Sequence, residues 1–300
     1  MWDTMREAVR KCMPSFVIHM KRRAARRLRE WQCRRRPELS EADFRRILVD
    51  VLGVRPGAVV LVHSSIGNLN LGFPPHGVLD MLLEAVGQEG TLLFPAWHFQ
   101  VRAEEYLRRG QVFDVRNDPP RLGLIPFLAA RRGNAVRTPH PTNSVVAIGK
   151  HALVLTEGHT RSIYPCGAES PFYRIVHYDG IIIGLGVGVE NLTFVHCVED
   201  IMQDKFPVKT RTTEVFCGRV RGEDGGEFVV RTVAAEKRIG HRNTPRYMRR
   251  YIPVDVCRVV TLHGVKYFTI KARELYEAME SLANRNITIY SKRIYRDRDA

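Results

Sequence analysis

Asn191, Thr193, His196 and Glu199 are the residues of this chain whose types and spacing best suit chemistry. They fall at helical spacing, with His196 and Glu199 one turn apart on the same face. Ahead of them runs Asp179-Gly180-Ile181-Ile182-Ile183-Gly184-Leu185-Gly186-Val187-Gly188. Its apolar start reads as a buried strand. Its glycines mark points where the backbone can bend tightly or approach a ligand closely. A strand, a glycine turn and a polar helix start together present a histidine as a general base at the end of a sheet. Taken alone, the His-x-x-Glu spacing also describes an ordinary surface pair.

Three further segments share the same character of a strand followed by a polar turn. Ala58-Val59-Val60-Leu61-Val62 runs into His63-Ser64-Ser65-Ile66-Gly67. Small hydroxyl residues and a glycine after a strand offer donors to a phosphate or carbonyl oxygen, or simply cap a helix. Gly90-Thr91-Leu92-Leu93-Phe94 runs into Pro95-Ala96-Trp97-His98-Phe99, an aromatic loop suited to walling a pocket or covering a core edge. Thr138-Pro139-His140-Pro141-Thr142-Asn143-Ser144 precedes the strand Val145 to Ile148. Its two prolines stiffen the loop around His140.

In their order, these segments resemble the aminoglycoside 3-N-acetyltransferase family, the acetyl-CoA-dependent antibiotic N-acetyltransferases. The resemblance is carried by Val62-His63-Ser64-Ser65, Gly90-Thr91-Leu92 with Phe94-Pro95, and Gly123-Leu124-Ile125-Pro126. It continues through His140 to Ser144, Glu169-Ser170-Pro171-Phe172, and the stretch from Leu185 to Glu199. It spans about residues 42 to 290. It implies an α/β fold with a mostly parallel central sheet flanked by helices, and an antiparallel β-rich C-terminal part. It also implies a cleft at the strand ends where acetyl-CoA meets an amine. Ser64, Ser65 and Thr91 would then bind the acyl donor, and His140, Asn143 and Glu169 would face the acceptor. His196 would be the base, Glu199 would either orient it or face the substrate amine, and Thr193 would steady the thioester oxygen as charge develops. The chain departs from the family pattern at Thr142-Asn143 and at Tyr164-Pro165-Cys166-Gly167-Ala168, both on the implied acceptor side.

Charge bears on the acceptor, because aminoglycosides are polycations and favour acidic clefts. The formal net charge is +15. Met1 to Arg36 holds twelve Lys and Arg against three acids, so the remaining chain is only mildly basic. Within that head Trp2, Met5, Val9, Met13, Phe16, Met20, Ala24 and Leu28 recur at three- and four-residue steps. Such a basic amphipathic helix fits an anionic membrane surface, or packing on the domain or a second subunit of a homo-oligomer. Nucleic acid is disfavoured, since the body carries no recognised binding module. The head is too interrupted for a transmembrane span and lacks the apolar run of a secretory signal. A cytoplasmic enzyme, at most peripheral to the membrane, is expected.

Three units follow: residues 1–36 as a basic extension, 37–292 as the catalytic domain and 293–300 as a charged tail. Ser40 and Asp43 open a helix bearing Phe44, Leu48, Val51 and Leu52. Arg211 to Phe216 and Glu227 to Val233 flank Gly222-Glu223-Asp224-Gly225-Gly226, a predicted hairpin. Arg242 to Tyr251 reads as a connector, and Lys271 to Ala283 as a closing helix. Cys12, Cys33, Cys166, Cys197, Cys217 and Cys257 show no paired short spacing, which argues against both zinc and a disulfide framework. No metal is expected. Besides acetyl transfer to an aminoglycoside or related amino sugar, two functions compete. One is N-acylation of a cell-envelope glycan or lipid-linked amino sugar. The other is a non-catalytic protein that binds an anionic polymer or membrane on the same scaffold.

Overall fold

The computed structural model describes Met20, residues 35–236 and residues 242–290. The amphipathic stripe expected in the head, apart from Met20, and the charged tail lie outside the described residues. Ten strands and nine α-helices organise what is described. The strands are β1 (Val59–Ser64), β2 (Thr91–Pro95), β3 (Val112–Asp114), β4 (Val136–Arg137), β5 (Val145–Gly149), β6 (Ile181–Leu185), β7 (Arg211–Arg221), β8 (Glu227–Ala235), β9 (Cys257–Leu262) and β10 (Val265–Lys271). The helices are α1 (Glu41–Arg46), α2 (Gly77–Val86), α3 (Ala103–Arg108), α4 (Leu124–Ala129), α5 (Ala152–Thr156), α6 (Pro171–Arg174), α7 (Val195–Met202), α8 (Thr244–Tyr251) and α9 (Ala272–Asn284).

β1 is apolar on both faces because it lies at the centre of a sheet covered on both sides. Alternation along it assigns the two cores. Val59 and Leu61 join Leu93, Ile182 and Phe268 under α7 and α9. Val60 and Val62 join Leu92, Phe94 and Ile183 under α1, α2 and α4. The Ser40 side chain accepts from the Asp43 N–H to start α1, as the capping-box reading requires.

The strand order is β4-β5-β2-β1-β6-β10-β9. The α/β class holds, but the expected parallel character is confined to the centre. Only β1 with β2 and β1 with β6 run parallel; β2–β5, β5–β4, β6–β10 and β10–β9 are antiparallel. For β4–β5 and β9–β10 the reason is connection length, since a short turn can join only antiparallel neighbours. His263 and Gly264, both at positive φ, close the β9–β10 hairpin in two residues.

β7 and β8 form the predicted hairpin, and β3 pairs with β7 to complete a second, three-stranded sheet. The expected connector at Arg242 to Tyr251 is instead mostly helix α8. The Asn243 side chain accepts from the Arg246 N–H, and Pro245 occupies the first turn. Two glycines of the β6 segment serve packing within the protein. A Cβ at Gly184 would stand 2.1 Å from the Phe268 ring, and Gly186 holds φ +69° beside the Ser65 carbonyl. The carboxyl ends of β1, β2 and β6 share one edge of the sheet, the usual place for a ligand in an open α/β sheet.

Candidate active site

The turn after β6 leads into α7, whose buried side includes Val195, Cys197, Val198 and Met202. Packing of that side turns the adjoining face, with His196, toward a cavity of about 330 Å³. Trp97, Phe99, Asn143, Thr193 and Arg242 also line this cavity. His196 Nδ1 lies 2.9 Å from Glu199 Oε2, and the Tyr290 hydroxyl donates to Glu199 Oε1 at 3.1 Å. Arg242 Nη1 lies 2.8 Å from His196 Nε2. A guanidinium only donates, so Nε2 accepts and the ring proton sits on Nδ1, donated to Glu199. This is the tautomer that leaves an Nε2 lone pair facing the cavity.

Burial works to raise the Glu199 pKa. The electrostatic interaction and hydrogen bond with His196, the Arg211 charge and the Tyr290 hydroxyl outweigh it, so the carboxyl stays below its ordinary value. Burial and the Glu199 charge push Tyr290 upward, keeping it a protonated donor.

A second buried pair fixes the frame. Arg211 Nε and Nη2 donate to the two oxygens of Asp200 at 2.6 and 2.7 Å, and the Cys166 N–H donates to Asp200 Oδ2 at 2.7 Å. Burial alone would depress the Arg211 guanidinium, but Asp200 more than reverses this. One carboxylate thus ties α7 to β7 and to the turn at Cys166. Cys197 is fully buried, with its thiol pKa raised by burial; it is a core residue.

A smaller cavity of about 140 Å³ lies against His63, Ser64 and Val187 and shares Trp97, Asn191 and Thr193 with the first. A third, of about 390 Å³, shares Arg211 and Val233 with the first and adds Tyr164, Glu199, Asp204 and Lys209.

The sequence-derived site residues divide accordingly. His196, Thr193 and Asn143 come together in the first cavity, Glu199 backs His196, and Ser64 faces the smaller cavity. Ser65 donates its N–H to the Leu185 carbonyl, joining the strand ends. Thr91 opens β2 at the opposite edge of the sheet, is fully buried, and accepts from the His151 N–H; it is not brought to the cavities. His140 is also fully buried. Its Nδ1 accepts from the Thr142 and Asn143 N–H groups, so it shapes the loop that presents Asn143. Glu169 pairs with Arg174 at 2.6 Å, away from these cavities.

Sequence reasoning missed Asp200, Arg211, Tyr290 and Arg242. The adjacent acids Glu199 and Asp200, one turn into an apolar helix, were a signal that buried partners exist. Nothing in the spacing named those partners. Among the described residues no group of three His, Cys, Asp or Glu is placed to hold a metal, and no helix is long and apolar enough to cross a membrane.

Residues 61–284 match the family model described as aminoglycoside 3-N-acetyltransferase. Aminoglycoside N(3)-acetyltransferase VIII of Streptomyces fradiae is 30% identical over 77% of this chain and 78% of its own length. Aminoglycoside N(3)-acetyltransferase III of Serratia marcescens is 33% identical over 59% of this chain and 71% of its own length. The crystal structure of aminoglycoside acetyltransferase AAC(3)-Xa shares the fold at TM-score 0.70 and 23% identity, covering 86% of this chain and 99% of that one. A complex described as AAC-IIIb binary with CoASH gives TM-score 0.68 at 18% identity, over 83% of this chain and 98% of that one. With the family model spanning the sheet and the His196 dyad, this chain belongs to the aminoglycoside 3-N-acetyltransferase family and is an acyltransferase.

Proposed function

We propose that the chain transfers acetyl from acetyl-CoA to an amine of an aminoglycoside or related amino sugar, with His196 as general base. The observation that carries this reading is the orientation of the imidazole. Nδ1 is committed to the buried Glu199, and Nε2 looks into the 330 Å³ cavity as an acceptor.

A protonated amine is no nucleophile, so the acceptor nitrogen must shed a proton. The ammonium proton passes to solvent, and His196 Nε2 takes a second proton from the nitrogen as it attacks the thioester carbonyl carbon. The Glu199 carboxylate holds the tautomer beforehand and steadies the imidazolium afterwards. Thr193, where the two cavities meet, donates to the carbonyl oxygen as it gains charge; such a donor contributes roughly 3 kcal/mol. The C–S bond then breaks, the N–C bond remains, and His196 returns its proton to the departing thiolate. No covalent enzyme intermediate is needed. The smaller cavity beside Ser64 receives the thioester end of the donor, and the larger one receives the acceptor. The test is acetyl-CoA with a panel of amines, following free thiol and the mass of the acceptor. One acetyl group gained per thiol released supports the reading, and thiol release with the acceptor mass unchanged refutes it.

A further inference from the structure

The lining of the acceptor cavity carries a charge pattern of its own. Its residues include two arginines, Arg211 and Arg242, and no Asp or Glu. Glu199 stands behind His196, engaged with the imidazole and with Tyr290. Asp200 stands behind Arg211 and is fully occupied by it and by the Cys166 N–H. The adjoining cavity adds Glu199, Asp204 and Lys209 to the lining. Within the His196 cavity itself an acceptor therefore meets the Arg242 guanidinium and no Asp or Glu side chain.

Arg242 also occupies the base. Its Nη1 donates to Nε2, the atom that must receive the acceptor's proton. Turnover needs those donors drawn elsewhere. An anionic group on the acceptor does this directly, since a guanidinium pairs with phosphate or carboxylate through two parallel hydrogen bonds. The same pairing sets the acceptor's amine beside the Nε2 that Arg242 has left. A polycation supplies no such group and places like charge beside Arg242.

Building on the acetyl-transfer reading, we propose that Arg242 selects its acceptor. The favoured acceptor is an amino sugar bearing an anionic group, a phosphate or a carboxylate, near the reacting amine, in preference to a polycationic aminoglycoside. The anion releases His196 Nε2 from Arg242 and orients the amine toward it.

The test compares kcat/KM for glucosamine 6-phosphate, 2-amino-2-deoxygluconate, glucosamine and sisomicin in the wild type, Arg242→Gln, Arg242→Lys and Arg242→Glu. The ratio between acceptors cancels any effect of these changes on the base itself. The wild type is expected to prefer one of the anionic acceptors over glucosamine by about 10-fold or more, the scale of a charge-assisted pair. Which one it prefers distinguishes phosphate from carboxylate. Arg242→Gln should bring that ratio close to unity, Arg242→Lys should keep part of it, and Arg242→Glu should shift preference toward sisomicin. Equal use of glucosamine and both anionic sugars by the wild type would overturn the inference, as would a ratio unchanged in Arg242→Gln, while leaving acetyl transfer intact. If no amine is acetylated by any variant although CoA binds, the acetyl-transfer reading fails and this inference fails with it.

Discussion

Glu199 Oε2 stands 2.9 Å from His196 Nδ1, and the two side chains differ sharply in burial, 2% against 21% exposed. The carboxylate is sealed in protein while the imidazole reaches the cavity. In the mechanism proposed above this asymmetry separates their roles: His196 meets the acceptor, and Glu199 acts through His196.

Replacing Glu199 with Gln keeps the shape but removes the charge that steadies the imidazolium. A fall in kcat of roughly 10²- to 10⁴-fold is expected, with acetyl-CoA affinity near that of the wild type. Steady-state kinetics with a direct CoA-binding measurement check this. A kcat within a few-fold of wild type would remove Glu199 from the account.

Tyr290→Phe deletes the hydroxyl that donates to Glu199 Oε1. The Glu199 pKa is lowered in the folded protein, so its contribution to stability is fully present above the ordinary value of 4.5 and is lost as pH falls through the folded value. Without the hydroxyl the folded pKa rises and the contribution shrinks by roughly 1 kcal/mol. Thermal melts should separate the two proteins above pH 4.5 and bring them together at more acid pH.

The Asp200–Arg211 pair is buried, and removing one partner leaves the other uncompensated. Asp200→Asn is expected to cost about 3 to 5 kcal/mol of stability, read as a lowered denaturant midpoint. A midpoint unchanged from wild type would mean that β7 is held to α7 by other contacts.

Three buried histidines set the acid limit of the fold. Burial lowers His63 and His159 to about 4 and His140 well below its ordinary value. His159 lies 2.9 Å from the Pro165 carbonyl through Nε2 and 3.0 Å from the Thr138 hydroxyl through Nδ1, the pattern of a neutral ring. In the unfolded chain these rings take up protons near 6.5, so the unfolded state binds more protons below that pH. Stability is therefore present above pH 6.5 and is lost as pH falls toward 4, by roughly 3 kcal/mol for each of His63 and His159. His159→Gln should flatten the fall of thermal stability between pH 6.5 and 4; an unaltered slope would contradict this assignment.

The legible parts of this protein were those written locally. The apolar runs of β1, β2 and β6, the Ser40 cap, the β7–β8 turn and the His196–Glu199 spacing each rest on a few consecutive residues. Strand direction across the sheet was not legible, because it depends on which neighbours pair rather than on any one strand. Gly186 read equally well as a tight bend or a close approach to a ligand; its φ of +69° beside the Ser65 carbonyl decides for the bend. Arg211, Arg242 and Tyr290 come from segments 11 to 91 residues distant from their partners. No periodicity reports such a meeting. Thr91 matched the motif but opens its strand, at the end away from the cavities.

The most direct test of the account is single-turnover acetyl transfer in His196→Gln against wild type, at saturating acetyl-CoA and a working acceptor. The account predicts a fall in the chemical step of roughly 10²- to 10⁴-fold with CoA binding retained. A rate within a few-fold of wild type would contradict the assignment of His196 as the base.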